Sequence, residues 1–282
     1  RQMAIDLGLS SMDIPKSYGG QNLSILEQVV VWEVLGRGTN ALTWCFSEPQ
    51  SWMLDACNDE QIESYILPLM DGRKHECYAI TETESGSEVQ VDTSAEKIDN
   101  GYRINGEKWF VTGANHADFF FIQAKIFKGK ENLGDALFFL DMGTKGIELV
   151  RTPLFSHTFD SHHPIYKFNN VFIPQKNLIG SESDGMSYTR SWFRRERLMI
   201  AARCCGAAAR LIEEATDFAN QRNIQGEALS ERQAIQFMLA DSVTELWAAR
   251  LMLYETAKAH DRDEDLNALH YRCSAVKLFA SE

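Results

Sequence analysis

No apolar run in this sequence is long enough to cross a bilayer; the longest, such as Asp118 to Ile126, are the size of a strand. No basic and apolar leader opens it either, so no secretion signal is read. The first residue is Arg1, and the last, Glu282, falls inside a helical pattern, so the chain is expected to be trimmed at both ends. Positive charge is scarce: 28 Lys and Arg stand against 40 Asp and Glu, a net charge of −12. That excludes nucleic acid as the main partner, because phosphate binding needs a concentrated basic face. An anionic small molecule remains open, since a few arginines can set the field of a cleft. Six cysteines form no CxxC pair and no regular framework, which points to reduced, mostly buried thiols. His157, His162 and His163 crowd one stretch, yet their spacing matches no zinc signature, so a polar loop and no metal site is expected.

What is present is ordinary globular material: 282 residues, 44 % hydrophobic and 24 % charged. The pattern changes twice along the chain. Residues 1–76 read as an N-terminal α-helical domain. Ser24 with Glu27 makes a capping box ahead of an apolar run, and Asn58 and Gly72 bracket a second helix over Gln61 to Met70. Residues 77–184 read with a period of two. Asp99-Asn100-Gly101 and Asn105-Gly106 are hairpin signals beside short runs at Tyr102 to Asn105 and Lys108 to Thr112. Further strands are expected at Phe119 to Lys125, Leu137 to Leu140, Ile147 to Arg151, Tyr166 to Phe168 and Val171 to Ile173, with an exposed loop from Gly129 to Gly134. Several short strands joined by polar turns suggest an antiparallel barrel or sandwich. Residues 185–282 return to helical spacing and read as an incomplete helical bundle. Leu198, Ala201, Ala202, Cys205, Ala208, Ile212, Ala215 and Ala219 form one stripe. Ser230 with Gln233 reads as another capping box, and a further helix begins near Leu266. Trp192 and Phe193 read as core or interface residues. The fold class is α+β.

Two stretches carry the chemistry. Tyr78-Ala79-Ile80-Thr81-Glu82-Thr83-Glu84-Ser85-Gly86-Ser87-Glu88 is a hydroxyl-rich loop after a short strand. Read alone, such a loop is either a solvated turn or a set of N–H and hydroxyl donors for a polar ligand. Asn105-Gly106-Glu107-Lys108-Trp109-Phe110-Val111-Thr112-Gly113 then places an aromatic beside another hydroxyl. Together they resemble the acyl-CoA dehydrogenase family, whose usual forms are Y-x-x-T-E-P-x-A-G-S-D and N-G-x-K-x-W-I-T. The resemblance continues in order along the chain. Asp13-Ile14-Pro15, Tyr18-Gly19-Gly20 and Glu33 to Gly36 are similar to its first domain. Val171-Phe172-Ile173-Pro174 and Asn177 to Gly180 are similar to the end of its β domain. Glu196-Arg197-Leu198, Arg222 to Gly226 and Gln233-Ala234-Ile235 are similar to its C-terminal helices.

The resemblance implies FAD as cofactor and a role for each matching residue. Thr81 meets the pyrimidine side of the flavin with the Ile80 backbone nearby; Thr112 lies near N5; Phe110 packs on the ring where the family usually has Trp. Tyr78 and Val111, beside these positions, are carried as cofactor-binding with them. Ser87 faces the CoA part of the substrate, and Arg197 helps hold it. Arg222 meets the FAD pyrophosphate of a neighbouring subunit, for which a guanidinium is suited, with Ile224 and Gln233 at the same cofactor. The sequence departs from the pattern at Thr83, Glu84 and Ser85, where Pro, Gly and Ala are common, and at Gln225, where Phe is common.

The reaction so implied removes a proton from Cα and a hydride from Cβ of an acyl-CoA, giving the trans-2-enoyl-CoA. Flavin takes the hydride, and the protein supplies alignment and a base. The resemblance offers two places for a glutamate base: a segment beyond Glu282, or Glu196. The first is expected, because Glu196 lies in Arg194-Arg195-Glu196-Arg197, where neighbouring arginines favour an ionised, ion-paired carboxylate. Electron-transfer flavoprotein as acceptor and a homotetramer or homodimer follow from the same resemblance. So does a cytoplasmic location in a bacterium, or the mitochondrial matrix in a eukaryote. A same-fold acyl-CoA oxidase or flavin monooxygenase, and a non-catalytic binding protein of the same fold, are the alternatives.

Overall fold

The computed structural model describes residues 1–38, 46–85, 91–156 and 163–282. In chain order the helices are α1 (Gln2–Asp6), α2 (Ile25–Gly36), α3 (Trp52–Ala56), α4 (Asp59–Gln61), α5 (Leu67–Met70), α6 (Gly185–Gln221), α7 (Gln233–Asp261) and α8 (Leu266–Ser281). The strands are β1 (Glu76–Ala79), β2 (Ser94–Ile98), β3 (Gly101–Lys108), β4 (Phe119–Lys128), β5 (Glu131–Asp141), β6 (Ile147–Arg151), β7 (Ile165–Pro174), β8 (Leu178–Ile179), β9 (Asn223–Ile224) and β10 (Glu227–Ala228). The chain forms two compact units: Arg1–Ser11 with Phe46–Thr189, and Met12–Cys45 with Arg190–Glu282. This mixed α+β architecture, helices then an antiparallel-rich sheet then helices, matches the fold class expected from the sequence.

The first unit is built on one sheet in the order β6-β7-β3-β2-β4-β5-β8, with β1 pairing Phe119–Ile122 of β4 on the edge where β2 pairs Lys125–Phe127. Most ladders are antiparallel, as expected, but β1 and β2 both pair with β4 in parallel. For β2 the direction goes with its hairpin to β3 through Asn100, whose φ is 67°. β4 runs opposite to β3 and therefore alongside β2. The run Phe119 to Ile122 carries no alternation because both faces of β4 are covered. Phe120 and Ile122 face a core with Tyr102, Phe138 and Phe168. Phe119 and Phe121 join Phe139, Tyr65, Ile66 and Leu69 on the opposite face.

Several local expectations change. Asn105-Gly106 is not a hairpin but a bulge inside the continuous β3, where the pairing with β7 shifts between Ile104 and Gly106. A side chain at Gly106 would place its Cβ 2.4 Å from Thr93 Oγ1, so glycine is needed for close approach rather than for a turn. The strand expected over Lys108 to Thr112 stops at Lys108. Only Gly129 and Lys130 turn; Glu131 to Gly134 already belong to β5. The two strands expected between Tyr166 and Ile173 are the single β7. The helix expected from Gln61 begins at Asp59, with Asn58 and Gln61 forming the capping box and a wider π-turn at Ile62–Ile66.

In the second unit, Ser24 Oγ accepts from Glu27 N at 3.2 Å and Glu27 Oε2 accepts from Ser24 N at 2.8 Å, closing the expected box. Asp261, at the end of α7, accepts from the next two free amides of α2, Ile25 N at 2.7 Å and Leu26 N at 3.0 Å. The helices α2 and α6 meet at Gly36 and Gly206: an added Cβ at Gly206 would lie 1.9 Å from the Glu33 carbonyl oxygen. Glu33 is held by Arg250 at 2.6 Å and by the Tyr254 hydroxyl at 2.5 Å. The α6 stripe is buried at Leu198, Ala201, Ala202 and Cys205, while Ala215 near its end is exposed. The second capping box does not form. Ser230 sits in a 3-10 turn, and α7 starts at Gln233 without a side-chain cap. Among the described residues, no helix is long and apolar enough to cross a membrane.

Candidate active site

The two motif stretches converge in the first unit. Pairing with β4 carries β1 to Ala79 and delivers Ile80 and Thr81 at its end. Pairing with β7 carries β3 to Lys108, after which Trp109 N donates to Thr81 O at 2.8 Å and Val111 N to Pro164 O at 3.0 Å. The segment between cannot stay extended: Phe110 sits at φ 53°, a conformation rare for a bulky side chain and costly by roughly 1–3 kcal/mol. Its consequence is that the Phe110 ring is turned out, 46 % exposed, with Thr81 and Thr112 also exposed at this end of the sheet.

Beneath this edge lies a buried ion pair. Lys108, fully buried, donates from Nζ to Ile80 O at 3.0 Å and to Glu82 Oε1 at 2.6 Å. The Glu82 carboxylate also accepts from Asp92 N at 2.5 Å and Thr93 N at 3.0 Å. Burial pushes the Lys108 ammonium down to about 8, against the pull of Glu82. For Glu82, burial alone would raise the carboxyl, but Lys108 and the Thr93 donors outweigh it and hold it below its usual range. Together these bonds tie Ile80, Glu82, Asp92 and Thr93 to the end of β3. The departures from the family pattern are accommodated here: Ser85 Oγ accepts from Glu82 N at 3.1 Å, closing the turn, and Glu84 points its added carboxylate into solvent.

The expected contacts divide by burial. Thr81, Phe110 and Thr112 present side chains. Ile80 and Val111 are buried at 5 % and 0 % exposure, so only their backbone can reach a ligand. Tyr78 stacks on Phe121 at 4.6 Å and packs toward the core. Ser87, His157 and His162 lie outside the described residues. His163 was legible only as part of a histidine-rich loop; its Nδ1 lies 3.0 Å from Thr112 Oγ1, and its ring meets Phe155 edge-on at 5.3 Å. No spacing rule connects residues 51 apart. Among the described residues, no group of three or more His, Cys, Asp or Glu could hold a metal.

In the second unit Arg197 Nη1 lies 3.1 Å from His270 Nε2, with its guanidinium over the Phe193 ring at 5.3 Å. Glu196 is half-buried beside it on α6. Arg222 immediately precedes β9, its carbonyl accepting from Leu229 N at 2.7 Å, and Ile224 ends β9, in a β9–β10 hairpin whose turn is Gln225 and Gly226 at φ 58° and 87°. Both residues and Gln233 are exposed.

An outward aromatic face with hydroxyls at its rim fits a planar, apolar ring system carrying polar edges, and a flavin is such a group. The family patterns for the acyl-CoA dehydrogenase N-terminal, middle and C-terminal domains match residues 1–73, 77–171 and 183–282. The chain belongs to the acyl-CoA dehydrogenase family. Subunit CarC of the caffeyl-CoA reductase–Etf complex of Acetobacterium woodii is 29 % identical over 280 residues, 98 % of this chain and 73 % of CarC. The probable medium-chain specific acyl-CoA dehydrogenase 2 of Caenorhabditis briggsae is 32 % identical over 263 residues, 91 % of this chain but 64 % of that protein. The solved structure of PigA with FAD and proline superposes with a TM-score of 0.87 at 25 % identity, over 99 % of this chain and 75 % of PigA. This acyl-CoA dehydrogenase homologue is a flavoprotein oxidoreductase with FAD as its cofactor.

Proposed function

We propose that the protein removes the α-proton and β-hydride of an acyl-CoA thioester, forming the trans-2-enoyl-CoA, and passes the electrons to an electron-transfer flavoprotein. The observation that carries this reading is the outward Phe110 ring with the exposed Thr81 and Thr112 hydroxyls at the same end of the sheet. Bound FAD supplies the hydride acceptor. Phe110 offers a flat apolar face for its ring, and the Thr81 and Thr112 hydroxyls bond its polar edges. The buried Lys108–Glu82 pair fixes the backbone that carries Thr81, so the hydroxyl is preorganised rather than recruited on binding. Ser87 and Arg197 hold the CoA portion in this reading, and Arg222, Ile224 and Gln233 reach the cofactor of a neighbouring subunit. The exposed Phe218, Phe237, Met238 and Trp247 support a homotetramer or homodimer. The name of CarC, which includes an Etf complex, supports the electron acceptor.

Proton abstraction needs a carboxylate whose desolvation brings it toward the working pH. Glu196 has Arg195 and Arg197 on either side in the chain, so the reading places the base C-terminal to residue 282. The test is anaerobic addition of a panel of acyl-CoAs to the FAD-loaded full-length protein, followed in the visible spectrum. Bleaching by one range of chain lengths is expected, and Glu196→Gln is expected to bleach within a few-fold of the wild-type rate. A flavin that no acyl-CoA reduces would overturn the reading. Fast reoxidation by air would replace electron-transfer flavoprotein with oxygen as acceptor.

A further inference from the structure

Thr112, near the end of the second motif, makes two polar contacts through Oγ1. It donates to Phe110 O at 3.3 Å and lies 3.0 Å from Nδ1 of His163. A hydroxyl has one hydrogen to give and two lone pairs with which to accept. The carbonyl can only accept, so it takes that hydrogen. The shorter contact is then a hydrogen bond only when Nδ1 carries a hydrogen and donates it to Oγ1. The local structure fixes the imidazole for this task. His163 precedes Pro164, which confines its backbone to the extended region. Pro164 O in turn accepts from Val111 N at 3.0 Å, one residue before Thr112. On its other side the half-buried imidazole meets Phe155 edge-on at 5.3 Å, and Phe155 meets Phe110 edge-on at 6.0 Å. Phe110, Phe155, His163 and Thr112 thus form a closed circuit of contacts, all within the first unit, at the exposed aromatic face.

We propose that His163 is a positioning residue for the cofactor: its Nδ1–H holds the Thr112 hydroxyl as a donor toward the polar edge of the flavin, and so sets the flavin's reduction potential. The inference rests on FAD lying at this edge. An oxidised flavin presents acceptors there, and reduction turns a ring nitrogen into an N–H donor. A hydrogen bond received at Oγ1 makes the O–H a stronger donor and leaves the oxygen a weaker acceptor. Donation from His163 therefore favours the oxidised cofactor over the reduced one, and its loss makes the flavin easier to reduce. The bond to Phe110 O, long at 3.3 Å, is the one the hydroxyl gives up when a better acceptor arrives.

The test is the midpoint potential of the FAD-loaded full-length protein, measured against a redox dye with no acyl-CoA present. His163→Phe keeps a ring against Phe155 and removes the nitrogen. Its flavin should shift in favour of reduction by about fivefold to tenfold, which is about 20–30 mV for a two-electron couple. The same substitution in a Thr112→Ala background should leave the potential nearly unmoved, because His163 acts through that hydroxyl. His163→Asn, whose amide nitrogen takes the place of Nδ1, should recover most of the shift. A potential in His163→Phe within about 1.5-fold of wild type, about 5 mV, would overturn the proposal, as would a shift in the other direction. A shift that persists in full without the Thr112 hydroxyl, or that is equally large in His163→Asn, would overturn it too. Potentials that move as expected in a protein whose flavin no acyl-CoA reduces would keep the role of His163 and remove the proposed substrate.

Discussion

Lys108 holds its ammonium where no water reaches, and the cost is met by two acceptors that come from the other motif, Ile80 O and Glu82 Oε1. Replacing the lysine with methionine would leave the Glu82 carboxylate buried beside only its amide donors. Lys108→Met is therefore expected to lose about 3–5 kcal/mol in urea unfolding, and the double variant with Glu82→Leu to recover most of it. A double variant no more stable than Lys108→Met would contradict the pairing. The sign with pH follows from the lowered Glu82 carboxyl. Its contribution is complete above the ordinary carboxylate value of 4.5 and is lost as pH falls through the lower folded value. Lys108 was visible in the sequence only as a letter of a motif. Its burial and its partner 26 residues away depend on how β1 and β3 are brought together, which no local pattern states.

Elements show the same division between local and distant causes. The Ser24–Glu27 box was legible because its donor and acceptor lie three residues apart. Its neighbour in function, Asp261, caps the same helix from 236 residues away and left no trace in the pattern. Asn105-Gly106 misled because the residue pair that makes a two-residue turn also permits a bulge; the deciding fact is the approach of Thr93. Ser230 and Gln233 have the spacing of a capping box, but the chain enters α7 through a 3-10 turn that leaves Arg232 at the cap. Glycine at position 206 is decided by the carbonyl of Glu33 on α2. Gly206→Ala should separate these helices and lower stability by about 1–3 kcal/mol, read as a drop in the melting temperature. An unchanged melting temperature would mean that the helices can part without loss.

Across the whole molecule, family membership was legible because five motif groups follow one another in order, each of them short and local. The hydroxyls of Thr81 and Thr112 came from those motifs. The Thr112–His163 contact and the Arg197–His270 contact did not, since each joins residues from distant parts of the chain. What the fold adds is presentation: it buries Ile80 and Val111 and turns out Phe110, Thr81 and Thr112. That presentation is the central claim, because FAD at this edge underlies the proposed chemistry. The most direct test is the FAD dissociation constant of Thr81→Ala with Thr112→Ala, measured by flavin fluorescence against wild type. Both side chains are exposed, so the melting temperature of the FAD-free protein should not move. Affinity for FAD should fall about tenfold or more from the loss of two hydroxyl contacts. Binding within twofold of wild type would place the cofactor somewhere other than this edge.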